Sequence, residues 1–363
     1  MRLEERRKLI STTRVPWVDV AKGTSIVLVV LLHSTNFLLG HNLASWFWDG
    51  FNTYLEPIRM PLFFLASGLF AQNILKTSWR AVVRKRISLF VWLYVLWIVI
   101  RFTYFTLLPS TVSTGEIGNP WMMLQALFVP NSGLWFLYAL ALYAALAKVL
   151  AYGGVRLSMG VGLGFALAAP YLSELSWAWA RTLQDFVFFL LGLHAREIVV
   201  AISRKATWVW FAIAIAAFTG LKSIRDHLHM PLAGVAVVSV VVSVVGLAAG
   251  VCAAVLVQHR LVGRGLARLG AITLPIYLMH EMILGALAGQ SGVQAILAAH
   301  PLMFYVSPVL LAALSISIAL TLHRVLRRVG FSWLFETPRP LLAVLPSDPP
   351  RVVEQKKLLA AAA

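Results

Sequence analysis

The sequence predicts an all-α polytopic membrane bundle of about ten transmembrane helices, with both termini in the cytoplasm. Three observations predict it. Hydrophobic residues make up 60% of the 363 and charged residues only 12%, about half the charged share of a soluble domain. The apolar residues fall in blocks of roughly 17–25, long enough to cross a hydrocarbon core. The lysines and arginines alternate between block ends as the positive-inside rule requires.

The expected spans are residues 18–39, 57–75, 88–108, 133–150, 158–172, 182–193, 207–221, 231–257, 271–288 and 301–322. The basic start before the first span resembles a signal peptide, but no small-residue cleavage site follows, so the span is read as retained. With this spacing, 26 of the 31 lysines and arginines fall on the cytoplasmic side. The loops 41–56, 111–132 and 289–300 contain none. Five basic residues break the pattern: Arg59, Arg101, Arg181, Lys222 and Arg225.

The net charge of +17 does not imply nucleic acid, because the basic residues sit at the ends of apolar blocks rather than on one amphipathic face. The single cysteine, Cys252, excludes an internal disulfide. Residues 1–333 read as one transmembrane domain. Residues 334–363, rich in proline and charge, read as a mobile cytoplasmic tail.

Ionisable groups inside a bilayer are costly and mark function by default. In the first span Asp19 and Lys22 stand at the cytoplasmic mouth, and His33 follows Lys22 by eleven residues. That spacing puts His33 about 16 Å deeper and on the same helical face as Lys22. An imidazole at midplane can serve as a general base, or as a hydrogen-bonded residue in a helix interface. The second span opens with Glu56 and Arg59, three residues apart and able to pair. Pro61 frees backbone carbonyls there, and Ser67 and Gly68 suit close helix packing. The run Arg80 to Arg86 reads either as cytoplasmic anchoring or as a phosphate-binding mouth. Tyr277, His280 and Glu281 lie near the middle of the ninth span. No pair of His, Asp or Glu shows helical metal-site spacing in a credible context, so no metal is expected.

The run from Trp17 to His33, WVDVAKGTSIVLVVLLH, resembles the opening signature of acyltransferase family 3, membrane enzymes that modify bacterial envelope glycans and glycolipids. In that signature an aspartate precedes a basic residue and a glycine, and a histidine follows the basic residue by eleven positions. These map onto Asp19, Lys22, Gly23 and His33. The family usually has arginine where this chain has Lys22, which keeps the charge but not the bidentate geometry. Phe63 to Gly68, Arg84 to Arg86, Leu134 to Leu137 and Ile276 to His280 resemble later signatures in the expected order.

The resemblance implies an acetyl-CoA-dependent O-acyltransferase of the bacterial inner (plasma) membrane. Its donor would enter from the cytoplasm, and its acceptor would be an extracytoplasmic glycan or glycolipid, a trehalose mycolate-type lipid among the options. It implies His33 and Asp19 as catalytic residues, and Lys22, Arg84 and Arg86 on the coenzyme A. Glu56, Arg59, Ser67, Trp135, Tyr277 and His280 are candidates for the substrate path. A transporter or flippase of a lipid-linked sugar is the alternative, although its halves would be expected to repeat and no repeat is visible.

Overall fold

A computed structural model describes residues 15–108, 120–130 and 132–346. The basic residues at positions 2–14, the loop at 111–119 and the tail at 347–363 lie outside the described residues.

Among the described residues the chain is helical, without strands. Its long helices are α1 (Pro16–Leu39), α2 (Trp46–Leu69), α3 (Ser88–Leu107), α4 (Trp135–Leu150), α5 (Gly154–Leu172), α6 (Trp177–His194), α7 (Trp208–His227), α8 (Leu232–Val257), α9 (Thr273–Ala288) and α10 (Met303–Arg328). Each expected apolar block falls on one of them. The starts follow ordinary capping chemistry. Pro16 occupies the first turn of α1, and the Ser45, Ser176 and Thr207 side chains accept from the backbone N–H groups of Phe47, Trp179 and Trp210.

The span count differs from the sequence expectation. Seven stretches are long and apolar enough to cross a membrane, or nine if each of two bent helix pairs is one span. The physical reasons are local. α4 and α5 form one stretch of 38 residues, joined by the turn Ala151–Gly153 and by Gly154 at φ +79°. α6 bends by 83° into the short helix Arg196–Ser203, and Leu261–Gly270 bends by 86° into α9. α9 has 16 residues, about 24 Å, less than a full hydrocarbon crossing. α2 also begins well before the expected position 57, running from Trp46 through Pro57 and Pro61.

α1 is the centre of the bundle, packed against α2, α8, α9, α10 and Leu261–Gly270. α6 packs on α2 and α5, α7 on α8, and α3 on α4. Between α3 and α4 and the end of α10, Trp92 and Trp97 donate to the carbonyls of Trp333 and Leu334 at 2.9 and 2.7 Å. Phe335 is buried beside Trp97 and His323. Packing therefore continues to Phe335, and the exposed helix Arg339–Val344 follows it.

Small residues set the closest crossing. A Cβ on Gly68 would lie 2.1 Å from the carbonyl oxygen of Phe189, and one on Gly192 would lie 2.2 Å from that of Leu65. α2 and α6 thus meet backbone to backbone, the packing mode that small residues permit in membranes. Gly68→Val should lower stability by about 1–3 kcal/mol in thermal unfolding, as overpacking does. Gly164→Val, at a site open for 4 Å around, is the control expected to change little.

Candidate active site

The most deeply buried charges lie where α1, α3 and α9 meet. Glu281 of α9 is fully enclosed, and its Oε2 accepts from Nη2 of Arg101 on α3 at 2.7 Å, with Arg101 also fully buried. Its Oε1 lies 3.4 Å from Nε2 of His33 on α1. His33 is the accessible member, with 27% of its side chain exposed.

His280 stands behind the pair, its ring edge-on to His33 at 5.1 Å. Its Nδ1 lies 2.8 Å from the Tyr277 carbonyl and 3.1 Å from that of Ile276. Carbonyls only accept, so Nδ1 carries the hydrogen and Nε2 is left as an acceptor. That Nε2 is buried, lacks a hydrogen-bond partner, and lies 3.9 Å from Glu281 Oε1. Ligand atoms of His33, His280 and Glu281 fall within 4.8 Å of one another, a spacing that suits a cation. The Arg101 guanidinium on the same carboxylate opposes one electrostatically.

Gly133 completes the wall. A Cβ there would lie 2.2 Å from Glu281 Oε1. The Gly133 carbonyl accepts from the Tyr277 hydroxyl at 2.7 Å, and that hydroxyl accepts from the Phe136 N–H at 3.2 Å.

Two cavities meet at this point. The larger, about 640 Å³, is lined by His33, Glu281, Glu56, Arg59, Trp135 and Arg181 among others. The smaller, about 230 Å³, is lined by Lys22, Ser67, Phe70, Arg86 and Phe136 among others. Tyr277 lines both. It stands with Phe136 and Phe63 as an aromatic septum, with ring centroids 5.5 and 4.6 Å apart along the row. In the smaller cavity Lys22 lies over the Phe70 ring at 5.2 Å, and Arg86 donates to the Phe70 carbonyl at 2.5 Å. Arg86 also lines an adjoining cleft of about 260 Å³ with Lys85. Both residues lie in a π-helical turn, Val83–Ile87, a form common at functional sites.

The structure brings His33 and His280 together with Tyr277, and Lys22 with Arg86 and Ser67. Lys22 and His33 share a helical face yet open into different cavities. Asp19 is buried and lines none of these cavities. Its carbonyl faces Gly270, where an added Cβ would lie 1.8 Å away. Arg84 lines none of them either. The local pairing of Glu56 with Arg59 is replaced by a pair with Arg181 of α6.

Sequence reasoning left Glu281, Arg101, Arg181 and Lys85 out of the candidate site. A signal existed for the two arginines, because both break the positive-inside pattern. All five exceptions have a place here. Arg101 and Arg181 hold carboxylates, Lys222 and Arg225 both pair with Asp226, and Arg59 lines the His33 cavity.

Arg101→Met should strand the Glu281 charge and cost about 3–5 kcal/mol of stability. The double variant Arg101→Met/Glu281→Leu should recover most of that loss in the same thermal-unfolding assay.

Residues 15–324 match the acyltransferase domain of acyltransferase family 3. The chain is also similar to an inner membrane protein of Escherichia coli (strain K12), YcfT, at 24% identity over 237 residues. That match covers 59% of this chain and 61% of the relative, so the chain spans about three fifths of the relative's length. No solved structure matches. Apolar helices of spanning length and a membrane relative make this a multi-pass membrane protein, and the domain match over most of its length shows that the chain belongs to acyltransferase family 3.

Proposed function

We propose that the protein is an O-acyltransferase that carries an acyl group, acetyl in the simplest case, from cytoplasmic acyl-CoA to a hydroxyl of an extracytoplasmic envelope glycan or glycolipid. One observation carries this reading: a basic cavity and a cavity holding a histidine–carboxylate pair adjoin across a single side chain, Tyr277. A donor with a phosphate-bearing carrier suits the first, and an acceptor hydroxyl suits the second.

Lys22, Arg86 and Lys85 would hold the anionic part of the donor, Arg86 with a planar fork and the lysines as point charges. The thioester would reach toward Tyr277. In the other cavity His33 would take the proton of the acceptor hydroxyl. Glu281 would balance the positive charge gained at His33, with Arg101 fixing the carboxylate. The oxygen then bonds to the thioester carbonyl carbon, the C–S bond breaks, and the proton passes from His33 to the departing thiolate. Atoms and charge balance as thioester plus alcohol to ester plus thiol. His280, with its hydrogen held by a backbone carbonyl, would present Nε2 as a second acceptor and orient the hydroxyl. Asp19 would act at a distance, by positioning the start of α1 against Leu261–Gly270.

The test is CoA release from acetyl-CoA by the purified protein, in the presence of envelope glycolipid extract. The parent should release CoA, and His33→Ala should reduce the rate by about 100-fold or more, the usual contribution of a general base. Glu281→Gln should also lose rate while keeping donor binding. Absence of acetyl-CoA binding by folded protein would overturn the assignment and favour transport of a lipid-linked sugar.

Tyr277 gives a second prediction. Tyr277→Ala should join the two cavities and raise CoA release without acceptor, because water then reaches the thioester. Tyr277→Phe keeps the ring and should not uncouple the reaction in the same assay.

A further inference from the structure

The charges around the His33 cavity do not cancel. Arg181 is paired with Glu56, and Arg101 with Glu281. Arg59 has no ion pair among the described residues. It is 5% exposed, and its Nη1 is buried without a hydrogen-bond partner. Glu174, the other carboxylate at this cavity, is exposed at the rim. Pro57 and Pro61 free carbonyls on the same helix, yet no hydrogen bond joins Arg59 to them. A guanidinium enclosed in a membrane protein is stable only when something answers its charge. Here the answer has to come from what fills the cavity. Its volume, about 640 Å³, falls within the range of small-molecule sites and takes a sugar with a charged substituent.

We propose that the ligand of this cavity carries an anionic group, a carboxylate or a phosphate, and that Arg59 binds it. The inference rests on the acyltransferase reading, which makes this cavity the acceptor site. It narrows that acceptor from any hydroxyl compound to an acidic one. The anion anchors at Arg59 on α2, and a neighbouring hydroxyl is left at His33 on α1. Planar, bidentate recognition of carboxylate or phosphate is what arginine supplies and lysine does not.

The experiment needs no acyl-CoA, so its result stands apart from the CoA-release assay. The full chain in phosphatidylcholine nanodiscs is titrated with methyl glucoside, methyl glucuronide and methyl glucoside 6-phosphate. Tryptophan fluorescence is the readout, because Trp135 and Trp177 line the cavity. One or both charged sugars should bind about tenfold or more tighter than the neutral one. Arg59→Gln should shrink that gap to within about twofold, and Arg59→Lys should keep only part of it. Repeating the titration in phosphatidylglycerol nanodiscs separates the two sources of an anion. If the charged sugars lose their advantage there, a lipid headgroup occupies Arg59; if they keep it, a soluble acidic acceptor does. Equal or no binding of charged and neutral sugars by the parent overturns the proposal. So does a preference that survives in folded Arg59→Gln.

Discussion

The pair between Arg101 and Glu281 is the constraint on which the site depends. A buried carboxylate in an apolar bundle needs a compensating charge, and one arginine on a different helix supplies it. The pair ties α3 to α9 and leaves one carboxylate oxygen directed at His33. Gly133 can approach only because it has no side chain to meet that oxygen. Tyr277, bonded to Gly133 and to the Phe136 amide, then closes the wall between the two cavities. Each later feature uses a position fixed by the earlier one.

This arrangement separates two chemical environments within one bundle. The Lys22 cavity is narrow, aromatic and basic, while the His33 cavity is wider and carries both signs of charge. A reaction between a soluble donor and an acceptor from the opposite side has to cross that wall, and a single row of aromatic rings is the thinnest part of it. The row is held by hydrogen bonds to backbone at Tyr277 alone, so its closing element is a side chain rather than a helix.

Much of this was legible in the sequence, for identifiable reasons. Hydrophobic block length and basic-residue placement report directly on membrane geometry, and the apolar blocks appear as helices. The number of crossings was less legible, because the breaks at Ala195 and at Ala271–Ile272 and the turn at Gly154 leave no strong mark in hydropathy. His33 and His280 were visible as misplaced polar groups. Their partner Glu281 was hidden beside His280, since adjacency in sequence says nothing about which face meets α1. Helical phase correctly put Lys22 and His33 on one face, but phase carries no information about a wall between them. Glu56 shows the limit of local spacing: a partner three residues away was within reach, and one from another helix took its place. Acyl donor and acceptor leave no such trace in the fold.

The π-helical turn at Val83–Ile87 has a consequence for how this protein can vary. A π turn holds one more residue than an α turn, so it sets the rotational phase of everything that follows it. Removing that residue would restore a regular helix and rotate α3 by about 100° relative to Trp79–Val82. Arg101, well inside α3, would swing away from Glu281. The basic turn is therefore a spacer as well as a charged surface. Its residues can change in kind far more readily than in number, because its length keeps the arginine beneath the histidine pair in register.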